Sequence, residues 1–317
     1  MSLSVKHILS VRDLTKKDVD LILQTARALK EISYRPIKKV PTLRGKQVLM
    51  CFFEDSTRTR LSFDIAAKRL SADSAVITKS GSAISKGETI LDTVRNLAAM
   101  QTDVIVMRHK EAGMPMQIAN AFPHISVINA GDGLHEHPTQ ALLDLMTIQD
   151  AKGGASGLNV SIIGDIFHSR VARSNMILLK KMGMKVHVAG PKTFMPADVE
   201  KYGVTFHKRI EDAIAVSDVI MMLRIQLERQ DSFFFPNARE YSKFFGLDAK
   251  MLSLAKPDAV VMHPGPVNRG LEIAPDVADG KRSVILDQVE NGVAVRMALM
   301  YLLCGGHPME EQQIKKG

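Results

Sequence analysis

Tryptophan is absent from the sequence and tyrosine occurs only four times, so little material exists for an aromatic platform that would stack nucleic-acid bases. Cysteine occurs twice, at Cys51 and Cys304, each inside an apolar run. Two isolated cysteines make neither a disulfide framework nor a zinc site. They read as buried thiols in a reducing compartment, and the expectation is cytoplasmic. No window approaches ~20 uninterrupted apolar residues, so no membrane-spanning helix is expected. Met1 to Lys6 lacks the basic stretch and apolar run of a secretory signal.

Several cofactor signatures are missing too. The small-residue run Gly153-Gly154-Ala155-Ser156-Gly157 lacks the Lys-Ser/Thr ending of a phosphate loop and precedes a strand, so it reads as a linker. Gly164 in Ile162-Ile163-Gly164-Asp165 is a lone glycine, too little for a dinucleotide fingerprint. His135 and His137 are spaced too closely for a helical metal pair, and no carboxylate–histidine pattern completes one. No metal or cofactor is therefore expected. A dense basic tract is also missing, although the net charge is +8 and the pI about 9.4. A dispersed cationic excess suits a small anionic ligand better than nucleic acid.

What is present is an alternation of short apolar runs and helical patterns over 317 residues, enough for two domains of about 150 residues each. Thr15 is placed to cap a helix reaching Ile32. Strands are predicted at Gln47–Glu54, Ala75–Lys79, Val104–Arg108 and Ser126–Ala130, with helices at Thr57–Leu70, Gly87–Met100 and Pro115–Ala121. A second set of strands is predicted at Asn159–Asp165, Lys185–Gly190, Val204–His207, Val219–Arg224 and Ala259–Met262. The helix at Arg170–Met182 lies among them, and an apolar helix at Val289–Leu303 closes the chain. The fold class is α/β: two doubly wound parallel-sheet domains, residues 1–137 completed by a C-terminal helix at about 291–317, and residues 138–290.

Open α/β sheets bind ligands beyond the carboxyl ends of their strands. Unusual polar residues fall there six times: Asp55 to Arg60, Arg108-His109, Gly131 to Gln140, Arg170, Arg224-Ile225-Gln226, and His263-Pro264-Gly265-Pro266. That recurrence predicts an active-site cleft between the two domains. The sharpest segment is Ser56-Thr57-Arg58-Thr59-Arg60, where a strand gives way to a helix capped by Ser56. Backbone N–H groups at a helix start have no intrahelical acceptor, and the dipole adds positive charge, so the segment suits a phosphate. Arg58 adds a forked donor.

Phe52-Phe53-Glu54-Asp55-Ser56-Thr57-Arg58-Thr59-Arg60-Leu61-Ser62-Phe63 resembles the carbamoyl-phosphate motif of the aspartate and ornithine carbamoyltransferases. The resemblance continues in order through Ser82…Lys86-Gly87-Glu88-Thr89, Val106-Met107-Arg108-His109, His137-Pro138-Thr139-Gln140, Arg170, Arg224-Ile225-Gln226 and His263 to Pro266. It implies transfer of a carbamoyl group from carbamoyl phosphate to an amine, in a homotrimer whose sites are shared. Ser56, Thr57, Arg58, Thr59 and Arg108 would hold the phosphate, joined by Ser82 and Lys86 from a neighbouring subunit. Thr59, Arg108 and His137 would stabilise the carbonyl oxygen, while Gln140, Gly265 and Pro266 contact the carbamoyl group. The resemblance implies a cis bond before Pro266, and a Glu54–Arg229 pair between domains. Lys86, Arg170, Arg224 and Gln226 would receive the acceptor. Ornithine enzymes carry His-Cys-Leu-Pro where this chain has His263-Pro264-Gly265-Pro266, and arginine at 224 repels a cationic side chain, so the acceptor implied is L-aspartate; the alternatives are another acceptor such as ornithine, or a catalytically silent scaffold relative. The same resemblance admits a regulatory chain or a dihydroorotase as a further partner.

Overall fold

A computed structural model describes residues 2–79, 87–225 and 238–306. The chain divides into two compact units, Met1–Leu143 with Glu290–Gly317, and Asp144–Val289.

The first unit opens with helix α1, Lys16–Lys30. Its start is a reciprocal capping box in which the Thr15 hydroxyl accepts from Asp18 N at 3.1 Å while the Asp18 carboxylate accepts from Thr15 N at 2.9 Å. The last predicted residues form a separate 3₁₀ turn, Glu31–Tyr34. Next come β1 (Gln47–Phe52), α2 (Thr57–Arg69), β2 (Asp73–Thr78), α3 (Ile90–Ala98), β3 (Val104–His109), α4 (Met114–Ala121) and β4 (Ser126–Asp132). All pairings are parallel, in the order β2-β1-β3-β4. Strands β1, β3 and β4 are buried almost end to end, which is why they read as unbroken apolar runs. Strand β2 lies at the edge with none of its residues buried, and its first residue, Asp73, gave no apolar signal although it pairs with Gln47. Helix α3 starts after Thr89, whose hydroxyl accepts from Asp92 N at 3.1 Å, three residues later than its apolar pattern suggested.

Helix α5, Pro138–Lys152, carries the chain from one unit into the other. The second unit holds β5 (Asn159–Ile163), α6 (Arg170–Lys181), β6 (Lys185–Ala189), β7 (Thr205–His207), α7 (Ile210–Val216), β8 (Val219–Met222), α8 (Ala238–Phe245), α9 (Ala249–Leu252), β9 (Val260–Met262) and α10 (Pro275–Ala278). Its sheet is also parallel, in the order β7-β6-β5-β8-β9. One face packs on α7, α9 and α10 through Ile163, Ile214, Ile220, Met222, Val261 and Val277. Helix α11, Ile285–Leu303, begins four residues before the predicted start. Its first turns expose Leu286 and Val289 and so lack a core-facing apolar pattern. Among the described residues no helix is long and apolar enough to cross a membrane.

Candidate active site

In each sheet the chain builds one side first and then crosses to the other. The crossing lies between β1 and β3 in the first unit, and between β5 and β8 in the second. Loops leaving neighbouring strands diverge there and open a crevice at the carboxyl ends. Among the described residues singled out from the sequence, Ser56 to Thr59 and Arg108 lie at the ends of β1 and β3, and Arg170 and Arg224 follow β5 and β8.

In the first unit Phe52 and Arg108 are register partners at the ends of β1 and β3, and Phe53 N donates to Arg108 O at 2.9 Å. Strand β1 ends at Phe52, two residues before the predicted end at Glu54, and α2 starts at Thr57. Ser56 is the N-cap in extended conformation (φ −164°, ψ 94°), and its hydroxyl makes no capping bond. The first intrahelical closure is Arg60 N to Ser56 O, 3.1 Å, so the first-turn amides of Thr57, Arg58 and Thr59 retain the outward polarity that favours an anion. Thr57 and Arg58 are exposed; Thr59 is buried.

Arg108 is 8% exposed and held from two directions. Its Nη1 donates to Ala130 O and its Nη2 to Glu54 Oε1, each at 3.0 Å. Glu54, linked from the sequence to Arg229, here pairs with Arg108. His109 faces the other way: its Nδ1 accepts from Glu111 N at 3.0 Å, and burial holds its pKa below the usual histidine value.

After β4 the chain turns through Gly133 to Glu136 and reaches His137, which is buried just before α5. Gln140 N and Ala141 N donate to His137 O at 3.0 and 3.2 Å, and His137 Nδ1 lies 3.4 Å from Thr139 Oγ1. Two carboxylates fix this turn. Asp132 accepts from Gly113 N and Asn129 Nδ2, both at 2.8 Å, and meets His135 Nδ1 at 3.1 Å. Burial alone would raise the pKa of Asp132, but these hydrogen bonds outweigh it and the carboxyl stays below its ordinary value. Glu136 is fully buried and accepts from the Ser10 hydroxyl and from Val11 N. Sequence reasoning missed Asp132, Glu136 and the Arg108 contact of Glu54, because an acid bonded to a distant backbone looks like any surface acid in one dimension.

In the second unit Leu223 N donates to Ile163 O at 2.8 Å, so the loops after β5 and β8 leave side by side. Gly164 adopts φ +128°, and a Cβ there would sit 3.1 Å from Leu223 Cβ, which is why glycine occupies the exit of β5. The loop is braced by His168, whose backbone N and ring Nδ1 each lie 3.0 Å from the Asp165 carboxylate. Burial keeps the Asp165 pKa above its usual value, partly offset by His168. Ser169 then caps α6, accepting from Ala172 N at 3.1 Å, and sets Arg170 as its first, buried residue. Arg224 is half-buried after β8. Beyond β9, His263 Nδ1 accepts from Gly265 N at 2.8 Å, and the Gly265–Pro266 bond is cis, as the resemblance implied.

The fold thus brings Ser56, Thr57, Arg58, Thr59, Arg108, His137 and Gln140 to the strand ends of one sheet, and Arg170, Arg224, Gly265 and Pro266 to those of the other. Ser82, Lys86, Gln226 and Arg229 lie outside the described residues. Among the described residues no group of three or more His, Cys, Asp or Glu side chains could hold a metal ion. Both cysteines are free; Cys51 is buried in β1 with its thiol pushed up to about 12, whereas Cys304 is only half-buried, not buried as expected, with burial raising its thiol to about 11.

Residues 6–150 match the family described as aspartate/ornithine carbamoyltransferase, carbamoyl-P binding domain, and residues 156–303 match its Asp/Orn binding domain. A protein of Syntrophotalea carbinolica named aspartate carbamoyltransferase catalytic subunit is 58% identical over 98% of this chain and 99% of its own length. One of the same name from Syntrophus aciditrophicus is 59% identical over 95% of this chain and 97% of its own. Among solved structures, aspartate transcarbamoylase from Trypanosoma cruzi in complex with N-(phosphonacetyl)-L-aspartic acid superposes with a TM-score of 0.85 at 31% identity, covering 94% of this chain and 96% of that one. Ornithine carbamoyltransferase from Pyrococcus furiosus does so with 0.84 at 31%, covering 97% and 99%.

Proposed function

The chain belongs to the aspartate/ornithine carbamoyltransferase family, and from that premise we propose that it transfers the carbamoyl group of carbamoyl phosphate to the amine of L-aspartate, giving N-carbamoyl-L-aspartate and phosphate. Overall backbone likeness does not separate aspartate from ornithine enzymes, since both superpose equally well. The observation that carries the choice is the pair of arginines, Arg170 and Arg224, at the crossing of the second sheet. Two guanidinium groups match two carboxylates as forked pairs and repel an ammonium-bearing side chain. The identity of 58–59% to relatives named for aspartate agrees with that chemistry.

The phosphate dianion rests on the α2 amides, the hydroxyls of Ser56, Thr57 and Thr59, and the guanidiniums of Arg58 and Arg108. Ser82 and Lys86 reach it from a neighbouring subunit of a homotrimer. The amine of aspartate attacks the carbonyl carbon, a C–N bond forms, and the carbonyl oxygen gathers negative charge against Thr59, Arg108 and His137. Arg108 is already locked by Ala130 and Glu54, so little reorganisation is needed as that charge develops. Gln140 and the backbone at Gly265–Pro266 orient the carbamoyl NH₂. The C–O bond then breaks, and the departing phosphate takes the amine proton. Arg170, Arg224, Gln226 and Lys86 hold the aspartate carboxylates. The product suits de novo pyrimidine synthesis in the cytoplasm, a location consistent with two free thiols.

The test is turnover of carbamoyl phosphate by the purified chain with aspartate and ornithine side by side. Aspartate is expected to be carbamoylated and ornithine not; ornithine turnover without aspartate turnover would overturn the acceptor assignment.

A further inference from the structure

The residues that meet the substrates from the second unit leave three different strands: the acceptor pair, Arg170 after β5 and Arg224 after β8, and Gly265, which orients the carbamoyl group, after β9. Beneath them runs a chain of buried polar groups with no role in the reaction chemistry. Asp144, at the unit boundary in α5, accepts from Asn175 Nδ2 on α6 at one oxygen and from Gln288 Nε2 on α11 at the other, each at 2.8 Å. Gln288 Oε1 accepts from His263 N at 2.9 Å. His263 Nδ1 accepts from Gly265 N, so the imidazole proton resides on Nε2 and is donated to Glu272 Oε1 at 3.1 Å. The same Glu272 oxygen accepts from Asn268 N at 2.6 Å, and Asn268 Nδ2 donates to Ile225 O at 3.3 Å.

One carboxylate oxygen therefore organises two loops. Through His263 it fixes the tautomer that lets Nδ1 hold Gly265, and through Asn268 it tethers the segment after Arg224. The side chains of His263 and Glu272 are both fully buried, and Glu272 Oε2 has no hydrogen-bond partner among the described residues. A buried carboxylate with a spare oxygen is costly. Its contribution lies in what Oε1 accepts, because deleting it strands the buried His263 ring N–H and the half-buried Asn268 N–H and frees both loops at once.

We infer that Glu272 is a positioning residue for the meeting of the two substrates, holding the Gly265–Pro266 turn, which orients the carbamoyl group, and the Arg224–Ile225 segment, which receives the aspartate, in mutual register through His263 and Asn268. The inference rests on the proposed function and adds to it a residue that touches neither substrate. Catalytic geometry is sensitive on the ångström scale, so loosening this hub falls on acceptor binding while the phosphate site in the first unit keeps its own scaffold.

The experiment compares Glu272→Ala, Glu272→Gln and Asn268→Ala in the full chain by steady-state kinetics in each substrate, alongside thermal unfolding. Glu272→Ala is expected to raise KM for aspartate about tenfold or more, and KM for carbamoyl phosphate by a smaller factor, since the phosphate keeps its scaffold in the first unit and loses only the ordered Gly265–Pro266 contact. Glu272→Gln retains an acceptor oxygen and is expected to stay within about threefold of the parent for both. Asn268→Ala cuts only the tether to Ile225 and should raise KM for aspartate without lowering the melting temperature. A Glu272→Ala enzyme that loses kcat with both KM values unchanged has merely lost folded protein, and overturns the inference. If that variant does not fold, a parent-like aspartate KM in Asn268→Ala overturns it instead. A parent chain that carbamoylates no aspartate is a failure of the functional reading, and the inference falls with it.

Discussion

Arg58 and Arg108 serve the same anion in the proposed reaction, yet their surroundings predict different consequences of removal. Arg58 is exposed in the first turn of α2. Arg58→Ala is expected to lower kcat/KM for carbamoyl phosphate by about 10²–10³-fold, while unfolding free energy stays within about 0.5 kcal/mol of the parent. Arg108 is paired with Glu54, the two side chains being 9% and 15% exposed. Arg108→Ala removes a buried donor to Ala130 O and to that carboxylate, so it should lose stability by about 1–3 kcal/mol as well as activity. Urea denaturation beside steady-state kinetics separates the two; equal stability loss in both variants would contradict the burial argument.

At the scale of elements, strands β6 and β7 carry a histidine pair that neither strand shows alone. His187 Nε2 lies 3.2 Å from Asn159 Oδ1, and Asn159 Nδ2 donates to Asp218 Oδ2 at 3.1 Å. This fixes His187 as a donor at Nε2 and an acceptor at Nδ1, which meets His207 Nε2 at 2.9 Å. Burial first, then His207, Lys185 and Lys256, depress the His187 pKa below its ordinary 6.5; Asp218, bonded to Lys256, is the acid beside the group. Between the folded pKa and 6.5 the unfolded chain holds a proton that the folded chain does not. The stabilisation is therefore present above 6.5 and lost as pH falls through that window. Stability measured by denaturant at pH 7.5 and 5.5 should fall toward the acid side, and His187→Gln should lessen the fall; an unchanged slope would count against it.

At the scale of the whole molecule, the described residues of the first unit expose apolar side chains along one flank. Strand β2 is the edge of its sheet with Val76 43% exposed, and α2, tied to it through Ser74 Oγ and Asp64 Oδ1 at 2.9 Å, exposes Leu61 and Ile65 one turn apart. Apolar side chains beside an edge strand suit a contact between subunits, which supports the proposed homotrimer with shared sites. Arg58→Ala and Lys86→Ala chains, each inactive alone, should recover about a quarter of parental activity when dissociated and reassembled together, because a site built from the intact residue of each chain is complete. Absence of recovery under conditions where parent trimers reassemble would sink the shared site.

The sequence by itself determined the features that act over a few residues. Unbroken apolar runs marked strands buried on both faces, Thr15 with Asp18 marked the start of α1, and the hydroxyl-and-arginine run at Ser56–Arg60 marked an anion site, because capping and helix polarity are local. Strand-end positions of Arg108, Arg170 and Arg224 were legible for the same reason. Boundaries drifted where local and tertiary signals disagreed: exposed β2 began at Asp73 without an apolar residue, and α11 began at Ile285 with side chains pointing outward. Only tertiary structure decided which acid serves which partner. Glu54 on Arg108, Glu136 on Ser10 and Val11, and Glu272 between His263 and Asn268 are chosen by register and loop crossing, and a carboxylate's partner depends on what the fold delivers within 3 Å, not on its neighbours in the chain.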